Sequence, residues 1–253
     1  MRLTALWLAG LVCAGACRAA PPAPCQSITF EAQPFIVCTY SADNAGLKLV
    51  LSHPDGAPVG SFARLADWMD KTATPLTFAM NAGMYHEDRR PVGLYVQDGQ
   101  EIAPLVTRAG PGNFGLVPNG VFWFENGKAG VTETGAFANQ FDGALPANAT
   151  QSGPMLVIDG ALHPAFNPDG TSRKRRNGVG VSADGETIYF AISDVPVNFH
   201  TFARLFRDDL GVPNALFLDG TVSKIYSADL GRSEVGLTMG PIITVVAPQP
   251  SDH

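Results

Sequence analysis

Short blocks of apolar or alternating residues, separated by turn signals, run along most of the chain. Residues 29–40 and 47–51 have the pattern of β-strands. Four dipeptides that tolerate positive φ lie between such blocks: Asp98-Gly99, Asn126-Gly127, Asp159-Gly160 and Asp184-Gly185. Because Asn-Gly and Asp-Gly favour two-residue hairpin turns, the pattern predicts four hairpins and a largely antiparallel sheet system.

Two segments have the spacing of helices instead. The residues after Ser61 place apolar side chains at helical intervals, and Ser61 itself is a favourable N-cap. Residues 198–210 place a stripe of apolar side chains on one face, with Asn198 as the N-cap and Gly211 as the stop. We therefore predict a helix at each place.

The second helix lies between two predicted strands, at residues 187–193 and 215–218. A strand, a helix and a strand joined by short connections predict a parallel β-α-β crossover. Asp194 and Asp219, which follow the two strands, would then share one sheet edge, where ligand sites tend to lie. Asn81 follows another predicted strand and would join them if that strand runs parallel. The whole pattern predicts a single α+β domain, with a mixed, largely antiparallel, hairpin-rich β-sheet core, flanking helices and one crossover.

Composition excludes one class of protein. The 253 residues suit one large domain, and their formal net charge of −6 argues against a nucleic-acid-binding protein, which would carry a basic surface. Basic residues form one short cluster, Arg173-Lys174-Arg175-Arg176. No nucleic-acid partner is therefore expected.

The first 20 residues have the features of a secretory signal peptide. Arg2 precedes an apolar run that continues to Cys17, and this run is too short to span a bilayer. Residues 25–248 would then form the exported domain, in the periplasm or outside the cell, with no membrane span. An alternative interpretation is a lipoprotein signal, because Ala14-Gly15-Ala16-Cys17 resembles a lipid-attachment box that would anchor the chain at Cys17.

Export also explains the cysteines. Cys25 and Cys38 are the pair that remains in the exported domain, and in an oxidising compartment they would form a disulfide. A zinc site is not expected, because two cysteines without clustered histidines are a poor ligand set. The sequence requires no cofactor. Acidic and amide side chains near Asp219 could hold a cation such as calcium, but no calcium-loop motif is present.

Four polar clusters, in a fixed order, carry a resemblance to a known family. They are Asn81-Ala82-Gly83-Met84-Tyr85, Ser152-Gly153-Pro154, Arg173 to Asn177 leading into Gly178-Val179-Gly180, and Asp219-Gly220 with Ser223. Each motif alone is weak, but the ordered set, over roughly residues 76–246, resembles the phosphodiester glycosidase family and its exported bacterial branch.

The resemblance implies a hydrolase that cleaves the bond between the anomeric carbon of a sugar and a phosphodiester oxygen. A phosphate leaving group is already a stable anion, so it needs positive charge and oriented donors more than a proton. Asp219 is accordingly the predicted base or nucleophile, and Asp194 is the reserve carboxylate. Arg176 is the predicted phosphate clamp. The predicted substrate-binding residues are Asn81, Gly83, Ser152, Gly153, Arg173, Arg176, Gly220 and Ser223.

The predicted substrate is a glycosyl phosphodiester in an envelope glycan, a lipid-linked glycan or a related metabolite. Two positions depart from the family pattern: Asn177 stands where threonine is common, and Thr221-Val222 replaces two glycines. A β-branched pair does not readily copy a glycine backbone at positive φ. Two other functions stay open, and the Thr221-Val222 segment favours the first of them. One is a non-catalytic envelope protein that binds phosphorylated glycans, and the other is a metal-dependent phosphodiesterase.

Each candidate residue also has a structural interpretation. Asp219-Gly220 is a common turn dipeptide, and the basic run at 173–176 could be a solvated loop. Ser152-Gly153-Pro154 could be only a kink before a strand, and Asn81 could bond its own backbone. Tyr85-His86-Glu87-Asp88 has the composition of a metal or acid–base cluster, but its flanks favour an exposed loop.

Overall fold

Three β-sheets enclose most of the apolar core. The computed structural model describes residues 23–247. The strands are β1 (Cys25–Phe30), β2 (Gln33–Ser41), β3 (Leu47–Val50), β4 (Leu76–Asn81), β5 (Tyr95–Gln97), β6 (Gln100–Ala103), β7 (Gly120–Glu125), β8 (Lys128–Glu133), β9 (Asn148–Ser152), β10 (Met155–Ile158), β11 (Ala161–Leu162), β12 (Asn177–Val181), β13 (Thr187–Ser193), β14 (Asn214–Asp219), β15 (Ile225–Ser227), β16 (Arg232–Ser233) and β17 (Ile242–Val246).

The largest sheet has seven strands in the order β1-β2-β13-β12-β14-β10-β11. The two smaller sheets have five strands each, in the orders β16-β15-β4-β17-β3 and β6-β5-β9-β7-β8. Between residues 23 and 247, neighbouring strands all pair antiparallel. The predicted largely antiparallel α+β domain is confirmed, although no direct neighbours in this region are parallel, as a mixed sheet would require.

The predicted crossover is present in a modified form. β13 and β14 each pair antiparallel with β12, which lies between them, so β13 and β14 run parallel to each other. The helical segment after β13 makes the connection. Asp194 and Asp219 therefore follow strands that end at the same edge of the seven-stranded sheet, as predicted.

Within residues 23–247, three short helices flank the sheets. They are α1 (Phe62–Lys71), α2 (Thr134–Gln140) and α3 (Phe199–Arg204), and a π-helical turn (Leu205–Asp209) extends α3. The predicted caps are confirmed: Ser61 Oγ accepts from the backbone N–H of Arg64, and Asn198 Oδ1 accepts from that of Thr201 at 2.8 Å. Helix α2 was not predicted, because its seven residues are too few to show a clear helical period.

The four dipeptides all lie in hairpin connections. Three of them, including Asn126-Gly127, have positive φ at both residues, as a tight turn of this kind requires. At Asp184-Gly185 only the glycine has positive φ, in a longer connection. The prediction of one strand over residues 29–40 is wrong. Glu31 and Ala32 adopt φ of 48° and 57° and turn the chain between β1 and β2, although neither residue signals such a turn.

Two apolar clusters lie on opposite faces of the seven-stranded sheet. One face packs against the two smaller sheets and includes Val179, Phe190 and Leu218. The other lies under α3 and includes Phe202 and Phe217. Successive residues of a strand point to opposite sides, so neighbouring residues of one motif can belong to different faces of this sheet.

Cys25 and Cys38 form the predicted disulfide, and they face each other across β1 and β2. The bond closes a loop with a sequence separation of 13 residues. The predicted signal sequence, with Cys17, lies outside the described residues. Within them, no helix is long and apolar enough to cross a membrane.

We expect the double substitution Cys25→Ser and Cys38→Ser to lower the free energy of unfolding by about 3 kcal/mol, because the unfolded chain regains the entropy of an open loop. Urea unfolding of oxidised wild type and variant measures the difference. Wild type treated with a reductant is the control and should unfold at the midpoint of the variant. Equal midpoints for oxidised wild type and variant would contradict the expectation.

Candidate active site

A cleft of about 650 Å³ opens beside the end of β14. Three segments form its walls: the loop after β4, the loop after β14 and the segment before β17. The lining residues are Met84, Tyr85, Glu87, Arg89, Val92, Asp219, Thr221, Val222, Leu237 and Thr238. The cleft therefore joins two of the segments that the sequence motifs single out, at residues 81–85 and 219–223.

Asp219 is the last residue of β14 and is only 8% exposed. Its Oδ1 accepts a hydrogen bond from the backbone N–H of Thr221 at 2.8 Å. Burial raises the pKa of the Asp219 carboxyl, while the backbone N–H groups that follow it and the charge of Lys174 oppose this shift. The net rise makes Asp219 a stronger base than an ordinary aspartate, on the wall of the cleft.

Two fully buried asparagines hold the backbone of Asp219. Asn177 Nδ2 donates to the backbone oxygen of Asn81 at 2.9 Å and to its Oδ1 at 3.2 Å. Asn177 Oδ1 accepts from the backbone N–H of Asp219 at 3.0 Å. Asn81 Oδ1 accepts from the backbone N–H of Lys224 at 2.9 Å. These bonds connect two sheets and anchor both ends of the loop after β14.

Asn81 and Ser223 lie next to Asp219, but their polar atoms form hydrogen bonds with other groups of the protein. Ser223 Oγ lies within hydrogen-bond distance of three protein acceptors: the backbone oxygens of Asp219 at 2.6 Å and Arg175 at 3.1 Å, and Asn177 Oδ1 at 3.3 Å. Asn81 has no exposed surface. The structure therefore supports a positioning role for these residues and not the predicted contact with substrate.

Tyr85 and Arg89 stand on the opposite wall of the cleft. The guanidinium carbon of Arg89 lies 5.4 Å from the centre of the Tyr85 ring. Burial raises the pKa of the Tyr85 hydroxyl, the charge of Asp219 raises it further, and Arg89 lowers it. Tyr85 Oη donates to the backbone oxygen of Thr238 at 3.1 Å. A cation, an aromatic ring and a basic carboxylate thus meet in one cleft.

Arg176 does not reach the cleft, so its predicted role as the phosphate clamp is not supported. Its side chain is fully buried, and its guanidinium carbon lies 3.5 Å from the ring centre of Phe199 and 5.4 Å from that of Phe217. Nε donates to the backbone oxygen of Val197 at 2.9 Å, and burial lowers the pKa of Arg176 to about 10. A side chain closed off from solvent cannot meet an incoming anion. Arg173, which was also predicted to bind substrate, is exposed and does not line the cleft.

Asp194 is engaged by two arginines. Arg232 Nη2 donates to its Oδ1 at 2.6 Å, and Arg175 Nη2 lies 3.6 Å from the same oxygen. Asp194 also does not line the cleft. A carboxylate that is neutralised outside the cleft is a poor base, so the structure does not support Asp194 as a reserve catalytic group.

Three further motif residues, Gly83, Ser152 and Gly153, do not line the cleft and lie where neighbouring segments pack closely. A Cβ at Gly83 would lie 2.6 Å from the backbone oxygen of Gln151, and one at Gly153 would lie 2.7 Å from Asn119 Cβ. Ser152 is fully buried and donates to the backbone oxygen of Leu218 at 2.9 Å. The two glycines therefore allow close packing against Gln151 and Asn119, and Ser152 is bound to β14, so its predicted contact with substrate is not supported. Gly220 is half-buried beside Asp219.

The segment at residues 85–88 forms a cleft wall and not a metal site. Tyr85 and Glu87 line the cleft, whereas His86 and Asp88 are exposed outside it. In the described part of the chain, no three His, Cys, Asp or Glu residues stand close enough together to hold a metal ion.

Sequence reasoning missed Arg89 and Lys224. Arg89 was assigned to an exposed loop, since nothing in Arg89-Arg90-Pro91 shows which arginine faces the site. Lys224 follows the Asp219 motif directly, and that proximity was the available signal. For Arg89 there is no such signal, because only the folded chain shows that its loop faces the end of β14.

A family model described as phosphodiester glycosidase matches residues 74–237. The matched region contains all four motifs and every residue that lines the cleft, except the last, Thr238. The family resemblance predicted from the ordered motifs is confirmed.

Individual proteins are also similar to this chain. The Escherichia coli (strain K12) protein YigE, described as uncharacterized, is 39% identical over 148 residues, which are 58% of this chain and 57% of that protein. The match thus spans little more than half of the length of YigE.

Two solved structures share the fold. One is the zebrafish N-acetylglucosamine-1-phosphodiester alpha-N-acetylglucosaminidase catalytic domain, auto-inhibited by its pro-peptide, with a TM-score of 0.58 and 14% identity over 88% of this chain and 82% of that one. The other is a hypothetical protein from Synechocystis, with a TM-score of 0.52 and 14% identity over 88% of this chain and 61% of that one. At these identities the likeness concerns the fold alone.

Proposed function

We propose that this chain, which belongs to the phosphodiester glycosidase family, hydrolyses the bond between the anomeric carbon of a sugar and a phosphodiester oxygen. The observation that carries the proposal is the cleft in which Asp219, Tyr85 and Arg89 meet. Its groups suit the two halves of such a linkage. Asp219 supplies an electron pair at the sugar, and Arg89 supplies positive charge at the phosphate.

The reaction needs one carboxylate, which acts as a general base or a nucleophile, and little general acid catalysis. The bond from the anomeric carbon to the phosphate oxygen breaks, and the electron pair leaves with the phosphate. Water supplies the new oxygen of the sugar. Asp219 gives its electron pair either to a proton of that water or to the anomeric carbon, and the phosphate leaves as a stabilised anion. A carboxylate made more basic by burial suits either role.

Arg89 and Tyr85 form the binding side of the site. The guanidinium attracts the diester and stabilises the charge that develops as the phosphate departs. The Tyr85 ring offers an apolar surface with a polar tip, which suits a sugar ring lying over it. The aromatic ring and the cation lie close enough together to bind adjacent parts of one substrate.

The proposed location is the periplasm or the outside of the cell, with an envelope glycan or a related metabolite as the substrate. The Cys25–Cys38 disulfide supports this location, because such bonds persist in oxidising compartments. Mass spectrometry of the exported protein tests the two N-terminal hypotheses. A start near residue 21 supports a signal peptide, and a lipid on Cys17 supports an anchor.

We expect Arg89→Gln to lower kcat/KM for a sugar phosphodiester by about 10- to 100-fold, because a charge-assisted contact is lost. A p-nitrophenyl glycoside of the same sugar, which carries no phosphate, should be hydrolysed as well as by wild type. Steady-state kinetics with both substrates measures this difference.

Arg90→Gln is the matched control for Arg89. Arg90 is exposed, pairs with Asp88 at 2.6 Å and does not line the cleft. Its removal should leave both rates unchanged. An equal loss in the two variants would assign the effect to the general charge of the loop and not to a clamp.

Hydrolysis in water labelled with heavy oxygen tests the function itself. A panel of sugar phosphodiesters is incubated with the protein, and the products are analysed by mass spectrometry. Label in the sugar supports the proposal. Label in the phosphate indicates a phosphodiesterase, and binding without products indicates a non-catalytic glycan-binding protein.

A further inference from the structure

A second cavity, of about 530 Å³, adjoins the cleft. The two share Thr221, Val222 and Leu237 as lining residues, so the two spaces lie side by side on the same loop. We call this second space the side cavity and define it by Arg175, Lys224, Glu234, Val235 and Leu237. None of these five residues except Leu237 lines the cleft.

Two of the charged groups in the side cavity satisfy each other. Glu234 accepts from both terminal nitrogens of Arg175, at 2.7 and 2.8 Å. It also accepts from Arg232 Nε at 2.8 Å and from the backbone N–H of Ile225 at 3.2 Å. Burial by itself raises the pKa of Glu234, but these arginines and hydrogen bonds outweigh it and hold the pKa below its usual range. Both carboxylate oxygens of Glu234 are thus occupied, and Arg175 also donates from Nε to the backbone oxygen of Ser193 at 3.0 Å.

Lys224 is the cation that remains available in the side cavity. Its Nζ donates to the backbone oxygen of Leu237, and among residues 23–247 the ammonium has no other hydrogen-bond acceptor. An ammonium carries three donors, so two are free for a ligand. Burial lowers the pKa of Lys224, against the opposing charge of Glu234, because its positive charge is poorly solvated. A bound anion would stabilise this charge and offset the free energy lost when the ammonium is buried.

The mouth of the side cavity is apolar. Val235 is 88% exposed and Leu237 is 68% exposed, the highest values among the large apolar side chains of the described residues. Gly236 between them has φ of 137°, which residues with a side chain rarely adopt. A Cβ there would also press on the stem of Lys224, at 3.3 Å from its Cε. The Val-Gly-Leu sequence thus presents two apolar groups directly above a buried cation.

We propose that the side cavity binds the leaving half of the substrate, and that this half is an alkyl phosphate. The phosphate lies between Arg89 and Lys224, and the first methylenes of its alcohol lie against Val235 and Leu237. The inference rests on the proposed function, which places the sugar in the cleft. It narrows the substrate class to glycosyl phosphodiesters of an apolar alcohol.

The chemistry of the lining favours an alkyl chain over a second sugar. A sugar needs several free donors and acceptors, but Arg175 and Glu234 are committed to each other, and Ser223 Oγ donates to the backbone oxygen of Asp219. Beside Lys224, the polar lining that remains for a ligand consists of the hydroxyls of Thr221 and Ser233. An anion joined to an apolar chain matches both features of the cavity, the buried ammonium and the apolar mouth.

Calorimetric titration of the purified protein with n-hexyl phosphate and with methyl phosphate tests the inference without knowledge of the sugar. Hexyl phosphate should bind on the order of tenfold more tightly, because several methylenes leave water. Val235→Ser should remove most of this preference and leave methyl phosphate unaffected. Lys224→Met, which keeps the packing of the stem, should weaken both ligands.

Leu145→Ser is the matched control, since Leu145 is 38% exposed and lines neither cavity. It should bind both ligands as wild type does. Equal affinity for the two phosphates overturns the inference, as does equal weakening of both by Val235→Ser or no measurable binding of hexyl phosphate.

The labelled-water experiment separates this inference from the proposed function. If labelled water shows no hydrolysis but the preference for hexyl phosphate persists, the proposed function fails alone. If hydrolysis occurs without that preference, only the inference fails.

Discussion

Asp219→Asn is expected to lower kcat/KM by about 10³-fold or more, because the amide cannot act as a base or a nucleophile. The substitution is nearly isosteric, and the amide oxygen can still accept the bond from the backbone N–H of Thr221. Substrate binding should therefore persist while turnover is lost. Single-turnover kinetics and binding of the intact diester measure the two effects separately.

The same variant should be at least as stable as wild type. Burial raises the pKa of Asp219 in the folded protein above its usual value of 3.8. Between that value and the folded pKa the folded state holds more protons, so stability falls as pH rises through this window. At neutral pH the ionised carboxylate is therefore destabilising, and Asp219→Asn removes that cost. A large drop in melting temperature would show that Asp219 is mainly structural.

Asp194→Asn is the matched control among carboxylates. Asp194 accepts from Arg232 outside the cleft, so its loss should reduce stability slightly and leave kcat within a fewfold of wild type. A loss of turnover in Asp194→Asn as large as in Asp219→Asn would contradict a one-carboxylate site.

The pH profile of the wild type gives a further test. The acid limb of its kcat/KM profile should titrate above the range of an ordinary aspartate, because the pKa of Asp219 is raised.

Asn177→Ala is expected to lower the free energy of unfolding by about 2–4 kcal/mol, because several buried donors lose their partners together. The backbone N–H of Asp219 is one of them, and the backbone oxygen of Asn81 also loses its donor. With Asp219 less firmly held, kcat should fall by about 10-fold or more. Denaturant unfolding and steady-state kinetics on one protein preparation measure both changes.

Asn167→Ala is the control for that substitution. Asn167 is exposed, and its side chain accepts one bond, from the backbone N–H of Asp169 at 2.9 Å. Both stability and kcat should stay close to wild type. If Asn177→Ala lost stability but kept its full kcat, the asparagine pair would hold the sheets together without positioning Asp219.

Much of the fold follows from local preferences that can be recognised in the chain. Asn126-Gly127, Asp98-Gly99 and Asp159-Gly160 turn the chain because their dihedral angles suit tight hairpins. Ser61 and Asn198 begin helices because their side chains accept from free N–H groups. The turn at Glu31-Ala32 is not predicted by the sequence, because neither residue type favours the positive φ that both adopt.

The carboxylate of the site was also within reach of the sequence, but its binding groups were not. Asp219 ends an apolar strand and belongs to a recognisable ordered set of motifs. Arg89 and Arg176 illustrate the limit. The sequence around Arg89 is typical of a solvated loop, yet Arg89 lines the cleft. The motif position of Arg176 predicts a phosphate ligand, yet its side chain is buried away from the cleft.

The sequence by itself determined the family, the hairpins, the helix caps, the disulfide pair and the strand exit that carries Asp219. Only the tertiary structure decided which charged side chains surround that carboxylate. Neighbouring residues of an extended segment point to opposite faces, so Arg175 reaches Glu234 while Arg176 packs against Phe199. What covers each face is set by segments far away along the chain, and no local pattern records that choice.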